Sequence, residues 1–184
     1  MAVSAQTFEA VVLEDTDGRW ELHRGKLREK PPMSFGHNRS ARELAYQLIP
    51  QLDRSEYEVL QNAGHLRAPN GDTYIPDVVV VPVALMSQFN LHPARFEVYD
   101  DPMPFLTEVW SPKTGSYDFE TKFPAYRLRA DEEIWRLQPF RRLVTAWRRQ
   151  PDGNYEEISY TGGIVRLHAL PDVTIDVDRL FFRR

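Results

Sequence analysis

The chain has no cysteine. That excludes disulfides and thiolate metal sites. No stretch is long and apolar enough to span a bilayer. The start, Met1-Ala2-Val3-Ser4-Ala5, lacks the basic and apolar regions of a secretory signal. A cytoplasmic protein without a membrane role is the expectation. No glycine-rich strand-to-helix turn is present to cradle a phosphate chain. No serine or cysteine nucleophile motif is visible either, so acyl transfer is not suited. Repeats, low-complexity tracts and long linkers are also missing. Finally, there is no excess of positive charge. The formal net charge is −4, against the basic surface usual in a constitutive nucleic-acid binder.

What is present fits one domain over residues 1–184, long enough for a full core. Charge is uneven along it. Arg127, Arg129, Arg136, Arg141, Arg142, Arg148 and Arg149 lie close in sequence. A solvated surface is the plain explanation of such a run, and a phosphate-binding patch is the sharper one.

Hydrophobic spacing gives a short amphipathic helix over residues 7–14. Two short alternating runs around Arg24-Gly25 predict a β-hairpin. Ala41, Leu44, Ala45, Leu48, Ile49 and Leu52 follow the helical repeat, so a long helix starts after Ser34, with Pro50 near its end. Strands are expected at residues 57–61, 65–68, 74–81 and 105–110, and residues 82–103 are expected to be loop-rich. The four valines of 78–81 suggest a strand buried on both faces. Residues 118–130 look helical, with a start near Thr121 because Pro124 lacks an N–H. Further strands follow at 133–137, 143–147, 155–160 and 173–177, and Leu180-Phe181-Phe182 form a packed terminal turn. This order indicates an α/β (α+β) fold with a mixed central sheet.

Two acids stand out against that pattern. Asp77 lies in Tyr74-Ile75-Pro76-Asp77-Val78-Val79, and Glu108 lies in Phe105-Leu106-Thr107-Glu108-Val109. Carboxylates are depleted in strands and costly to bury unless paired or bound to metal. Two of them, each among apolar neighbours, suggest a shared hard cation such as Mg²⁺ or Mn²⁺. Such a cation polarises a phosphoryl oxygen and activates water, and a nearby lysine, Lys122, could orient that water or stabilise charge on the phosphate. Lys113 is the rival lysine. Asp77 could also simply cap local backbone, and Glu108 could form a plain buried salt bridge with Lys122.

The strings Pro76-Asp77-Val78-Val79-Val80-Val81, Thr107-Glu108-Val109-Trp110-Ser111-Pro112-Lys113-Thr114, Tyr117-Asp118, Lys122, Tyr126 and Glu133-Ile134-Trp135 resemble the Uma-two family of bacterial endonuclease-like proteins. Trp20 to Leu27 and His37 match its N-terminal pattern. The resemblance covers roughly residues 8–182. It implies a fold like that of the PD-(D/E)XK restriction endonucleases, a mixed central sheet flanked by helices with an N-terminal hairpin extension. By that resemblance Asp77 and Glu108 would be metal ligands, and the Val109 carbonyl would complete the shell. Lys122 would replace the lysine that the superfamily places two residues after the glutamate, where this chain has Trp110. Glu21 and His37 would support the site. The chain departs from the family in Leu137-Gln138-Pro139 and in Ala130-Asp131-Glu132-Glu133.

The resulting expectation is an Mg²⁺-dependent endonuclease acting on DNA, possible as a homodimer. The alternatives are a non-catalytic binding or assembly module on the same fold, and a metal-dependent hydrolase of a small phosphoester.

Overall fold

The computed structural model describes residues 2–15, 17–90, 92, 95–111 and 115–181. Lys113 and Phe182 therefore lie outside the described residues. The predicted helix near the N-terminus is α1, Ala5–Glu14, capped by the Ser4 side chain. The hairpin follows as β1, Trp20–His23, and β2, Lys26–Glu29. Its turn has φ of +49° at Arg24 and +70° at Gly25. Two positive φ values in succession are what a tight two-residue hairpin turn requires, and glycine supplies one of them without strain.

The hairpin does not stand apart. It forms one side of a five-stranded sheet in the order β2-β1-β5-β4-β7, with β4 at His65–Arg67, β5 at Thr73–Tyr74 and β7 at Val98–Tyr99. A second, six-stranded sheet runs β11-β10-β9-β8-β6-β3. Its strands are β3 (Tyr57–Gln61), β6 (Val78–Pro82), β8 (Phe105–Val109), β9 (Glu133–Gln138), β10 (Leu143–Arg149) and β11 (Tyr155–Tyr160). Only the β8–β9 pairing in it is parallel. The sheet is thus mixed, as expected. A short pair, β12 (Ile164–Arg166) and β13 (Thr174–Asp176), leads to α6, Val177–Leu180.

The valine run shows why the six-stranded sheet needs cover on both sides. Val78 and Val80 enter one core with Ala41, Leu44 and Leu48 of α2 (Phe35–Leu48). Val79 and Val81 enter another with Ala125 and Tyr126. Successive strand side chains point to opposite faces, so a four-valine strand must be covered twice. Burying each such side chain is worth about 1.5–3 kcal/mol.

Three expectations need correction. Residues 74–81 are not one strand. Ile75, Pro76 and Asp77 separate β5 from β6, since Pro76 cannot donate to a ladder. The segment after Pro82 is not all loop. Val83–Asn90 form α3, and Leu85, Met86 and Phe89 pack against the second core. The helix at Lys122 starts earlier than Thr121. It runs from α4 (Gly115–Tyr117) through a π-helical stretch, Asp118–Lys122, into α5 (Phe123–Leu128). Pro124 has no N–H to give to a carbonyl in the preceding turn, and a local widening of the helix accommodates that loss.

Candidate active site

Ile75-Pro76-Asp77 brings the chain from one sheet into the other. The Asp77 backbone keeps the ladder, since its N–H donates to the Thr107 carbonyl at 3.0 Å and its carbonyl accepts from Asn62 at 3.0 Å. Its side chain faces β8, where the Val109 N–H donates to Asp77 Oδ2 at 2.7 Å. Glu108, one residue earlier on β8, is held by two groups from the next helix. The Tyr126 hydroxyl donates to its Oε1 at 2.6 Å, and the Lys122 ammonium donates to the same atom at 3.2 Å.

Lys122 joins these parts. Its Nζ lies 2.7 Å from Glu21 Oε1 and donates to the Ile75 carbonyl at 3.2 Å. Glu21 reaches in from β1 and accepts the Ile75 N–H at 3.0 Å. The Tyr117 hydroxyl donates to the other Glu21 oxygen at 3.4 Å, and the Arg28 guanidinium stacks 3.4 Å from the Tyr117 ring centre. His37 sits in the first turn of α2, where Ser34 caps the helix by accepting the His37 N–H. That turn places His37 Nε2 2.8 Å from Asp77 Oδ2. The side chains of Asp77, Glu108, Lys122, Glu21 and His37, singled out in the sequence, thus form one connected buried cluster, with the Val109 amide bonded into it.

The sequence did not single out Lys30. Its Nζ lies 2.6 Å from Asp77 Oδ1 and donates to the Ile75 carbonyl at 2.9 Å. A signal for it existed. Glu21 pairs with Arg28 across the hairpin, and side-chain alternation puts Lys30, two residues on, along the same face. The two ammonium groups thus share the Ile75 carbonyl between the carboxylates.

Every charge here is nearly dry: Glu21 and Asp77 are 1% exposed, Lys122 1% and Glu108 6%. Removing each ion from water costs several kcal/mol, and pairing often only offsets that cost. A cluster of three carboxylates, two lysines and a histidine is therefore a poor way to gain stability, which marks it as a functional candidate. Burial alone would raise the Asp77 carboxyl. The charges of Lys30 and His37, with Lys122 further off, outweigh burial and hold it well below the ordinary carboxylate range.

The oxygen-rich donors match a hard cation in kind. Among the described residues no three His, Cys, Asp or Glu side chains form a ready-made metal cage. Mg²⁺ does not require one, because it is held by one or two carboxylates and keeps several waters. Asp77 Oδ1 and both His37 ring nitrogens are buried without an aligned hydrogen bond, although Lys30 and Asp77 lie close enough for ion pairing. Asp77 Oδ1, which receives no aligned hydrogen bond, and the carboxylate of Glu108 are oxygen donors of the kind the expected cation takes.

The fold agrees with the comparisons. The Uma2 family, described as "Putative restriction endonuclease", matches residues 5–178. The chain belongs to the Uma2 family. No curated protein matches it. A solved structure from Anabaena variabilis, titled as "a putative nuclease belonging to DUF820", is similar in fold, with a TM-score of 0.71 over 88% of each chain at 13% identity. In this Uma2 chain the cluster lies where β1, β2, α2, β8 and the Lys122 helix converge. Glu108 is its most accessible carboxylate, beside a small cleft lined by Phe119, Phe123, Arg136 and Trp147. A larger open cleft at Arg148, Tyr160, Arg166 and His168 contains none of the cluster.

The arginine run does not make one patch. Arg129 is buried against Asp131 at 3.1 Å, and Arg148 lies 3.5 Å from Glu133. Arg136 packs 4.6 Å from the Phe119 ring centre, and Arg142 lies 4.0 Å from Asp178. No helix among the described residues is long and apolar enough to cross a membrane.

Proposed function

We propose that this chain is an Mg²⁺-dependent endonuclease that hydrolyses phosphodiester bonds of DNA at the Asp77–Glu108 cluster. The observation that carries this reading is Lys122, which reaches Glu108 and Glu21 in a buried site that also holds Asp77. Asp77 and Glu108, with the Val109 carbonyl, would hold the cation. When bound, Mg²⁺ supplies Lewis acidity to a phosphoryl oxygen and lowers the pKa of water.

The chain's own groups do the rest. His37 and the Val109 N–H keep the Asp77 carboxylate aimed and ionised. Tyr126 orients Glu108. Glu21 holds the Lys122 ammonium beside Glu108, where it can orient the attacking water and offset negative charge gathering on the phosphate. Water adds to phosphorus, a P–O ester bond breaks, and the departing oxygen takes up a proton.

Supercoiled plasmid is the direct substrate. Wild-type protein with Mg²⁺ nicks or linearises it, EDTA stops the reaction, and Asp77→Asn abolishes it. Undiminished cleavage by that variant overturns the assignment. Parallel assays on RNA and nucleotides separate DNA cleavage from hydrolysis of a small phosphoester.

One observation favours a second reading. The carboxylates already face resident ammonium groups, as suits a non-catalytic module on a nuclease-like fold. That reading expects no rise in melting temperature with Mn²⁺. Cytoplasmic residence and a homodimer complete the proposal. Exposed Phe35 and Tyr46 on α2 support the dimer, and sedimentation at micromolar concentration checks it.

A further inference from the structure

Lys30 has a position that the nuclease mechanism does not use. Its side chain is 2% exposed, and its ammonium touches Asp77 Oδ1 at 2.6 Å, closer than Lys122 comes to Glu21 or Glu108. Asp77 Oδ2 is committed elsewhere, to the Val109 N–H at 2.7 Å and His37 at 2.8 Å. Oδ1 is therefore the Asp77 atom left for a cation, and Lys30 stands against it.

The two lysines are not equivalent. Lys122 is anchored by Glu21, Glu108 and the Ile75 carbonyl. Lys30 has Ile75 and one carboxylate oxygen, and that oxygen receives no aligned hydrogen bond. Lys30 is thus held at Asp77 by a short-range charge attraction and has fewer anchors than Lys122. A flexible four-carbon stem lets a lysine head move while its backbone stays in place.

We infer that Lys30 is a built-in counter-ion occupying the Asp77 oxygen that a divalent cation needs, so that it competes with the metal and sets how tightly the site is loaded. This rests on the assignment of Asp77 and Glu108 as metal ligands. Without metal, Lys30 neutralises Asp77 and keeps the dry cluster folded. A divalent ion displaces the ammonium, because two positive charges cannot share one carboxylate oxygen without strong repulsion.

Calorimetric titration of Mn²⁺ into the full chain tests this, using wild type, Lys30→Gln and Lys30→Arg. Removing a like charge from beside the ion should tighten Mn²⁺ binding to Lys30→Gln by about tenfold or more. Lys30→Arg, which keeps the charge, should not gain. A merely structural lysine, when lost, loosens the site and weakens binding. Equal or weaker binding by Lys30→Gln therefore overturns the inference and leaves the metal site standing. Absence of Mn²⁺ binding to both wild type and Lys30→Gln overturns the inference and the metal site together.

A measurement on the wild-type protein covers the case in which Lys30→Gln fails to fold. An amine-reactive acetylating reagent, read by mass spectrometry, should modify Lys30 faster once Mn²⁺ is bound. An unchanged rate at Lys30, in samples whose melting temperature shows Mn²⁺ bound, contradicts displacement.

Discussion

The Val109 amide N–H donates to Asp77 Oδ2 at 2.7 Å. Together with the Asp77 N–H bond to the Thr107 carbonyl it joins the two acidic motifs, since Val109 follows Glu108 on β8 and Asp77 stands just before β6. It fixes Asp77 relative to Glu108 through the sheet backbone instead of through flexible side chains. A backbone donor on a carboxylate also stabilises its ionised form.

Lys122 should be worth most through its pairing with Glu21 at 2.7 Å. Lys122→Met takes the shared ammonium from two buried carboxylates and should cost about 3–5 kcal/mol in urea unfolding. Adding Glu21→Gln should restore part of that loss, because contacting charges couple by about 0.5–3 kcal/mol. Strictly additive losses would mean that the pair does not interact.

Tyr126→Phe removes the hydroxyl that donates to Glu108 Oε1 at 2.6 Å and keeps the ring. Hydrogen bonds to buried charges contribute about 1.5–3 kcal/mol. Unfolding of this variant should show a loss of that order, and its Mn²⁺ affinity should fall as Glu108 loses orientation. Unchanged stability and affinity would remove Tyr126 from the site.

Acid sensitivity should come partly from His65, far from the carboxylates in sequence. Burial between Phe8 and Phe96 lowers its pKa to about 4, against weaker upward pulls from the Trp20 carbonyl, Glu21 and the Glu97 backbone. The unfolded histidine takes a proton near pH 6.5 while the folded one does not. Stability is therefore intact above that pH and lost as pH falls towards 4, by up to about 3 kcal/mol. Asp77, whose carboxyl is lowered, adds a loss only below the ordinary carboxylate range. Unfolding curves across this window should flatten in His65→Phe, and an unchanged slope would assign the acid limb to other groups.

Much of the site was legible because the anomaly was local. An acid among valines, or within Phe-Leu-Thr-Glu-Val, is costly wherever the fold puts it, so Asp77 and Glu108 stood out. Glu21, His37 and Lys122 carried weaker local signals and depended on resemblance. Lys30 carried only the indirect signal of hairpin alternation, as a lysine beside Pro31-Pro32 looks like an ordinary surface residue. Only the hairpin register puts it on the face of Glu21. Most strands and α2 followed from periodicity, whereas β7 and β12, two and three residues long, are too short to carry one. α3 was obscured by surrounding prolines, although Leu85 and Phe89 have helical spacing. The π-helical turn before Pro124 depends on how a helix absorbs a missing donor, which composition does not specify.

The central claim is that Asp77 and Glu108 share a divalent cation. Anomalous diffraction from crystals grown with Mn²⁺ tests it most directly. The account predicts an anomalous peak within ligand distance, about 2–2.6 Å, of a carboxylate oxygen from each residue. Crystals that carry Mn²⁺ elsewhere, with Lys30 still on Asp77 and no peak between the two acids, would contradict it.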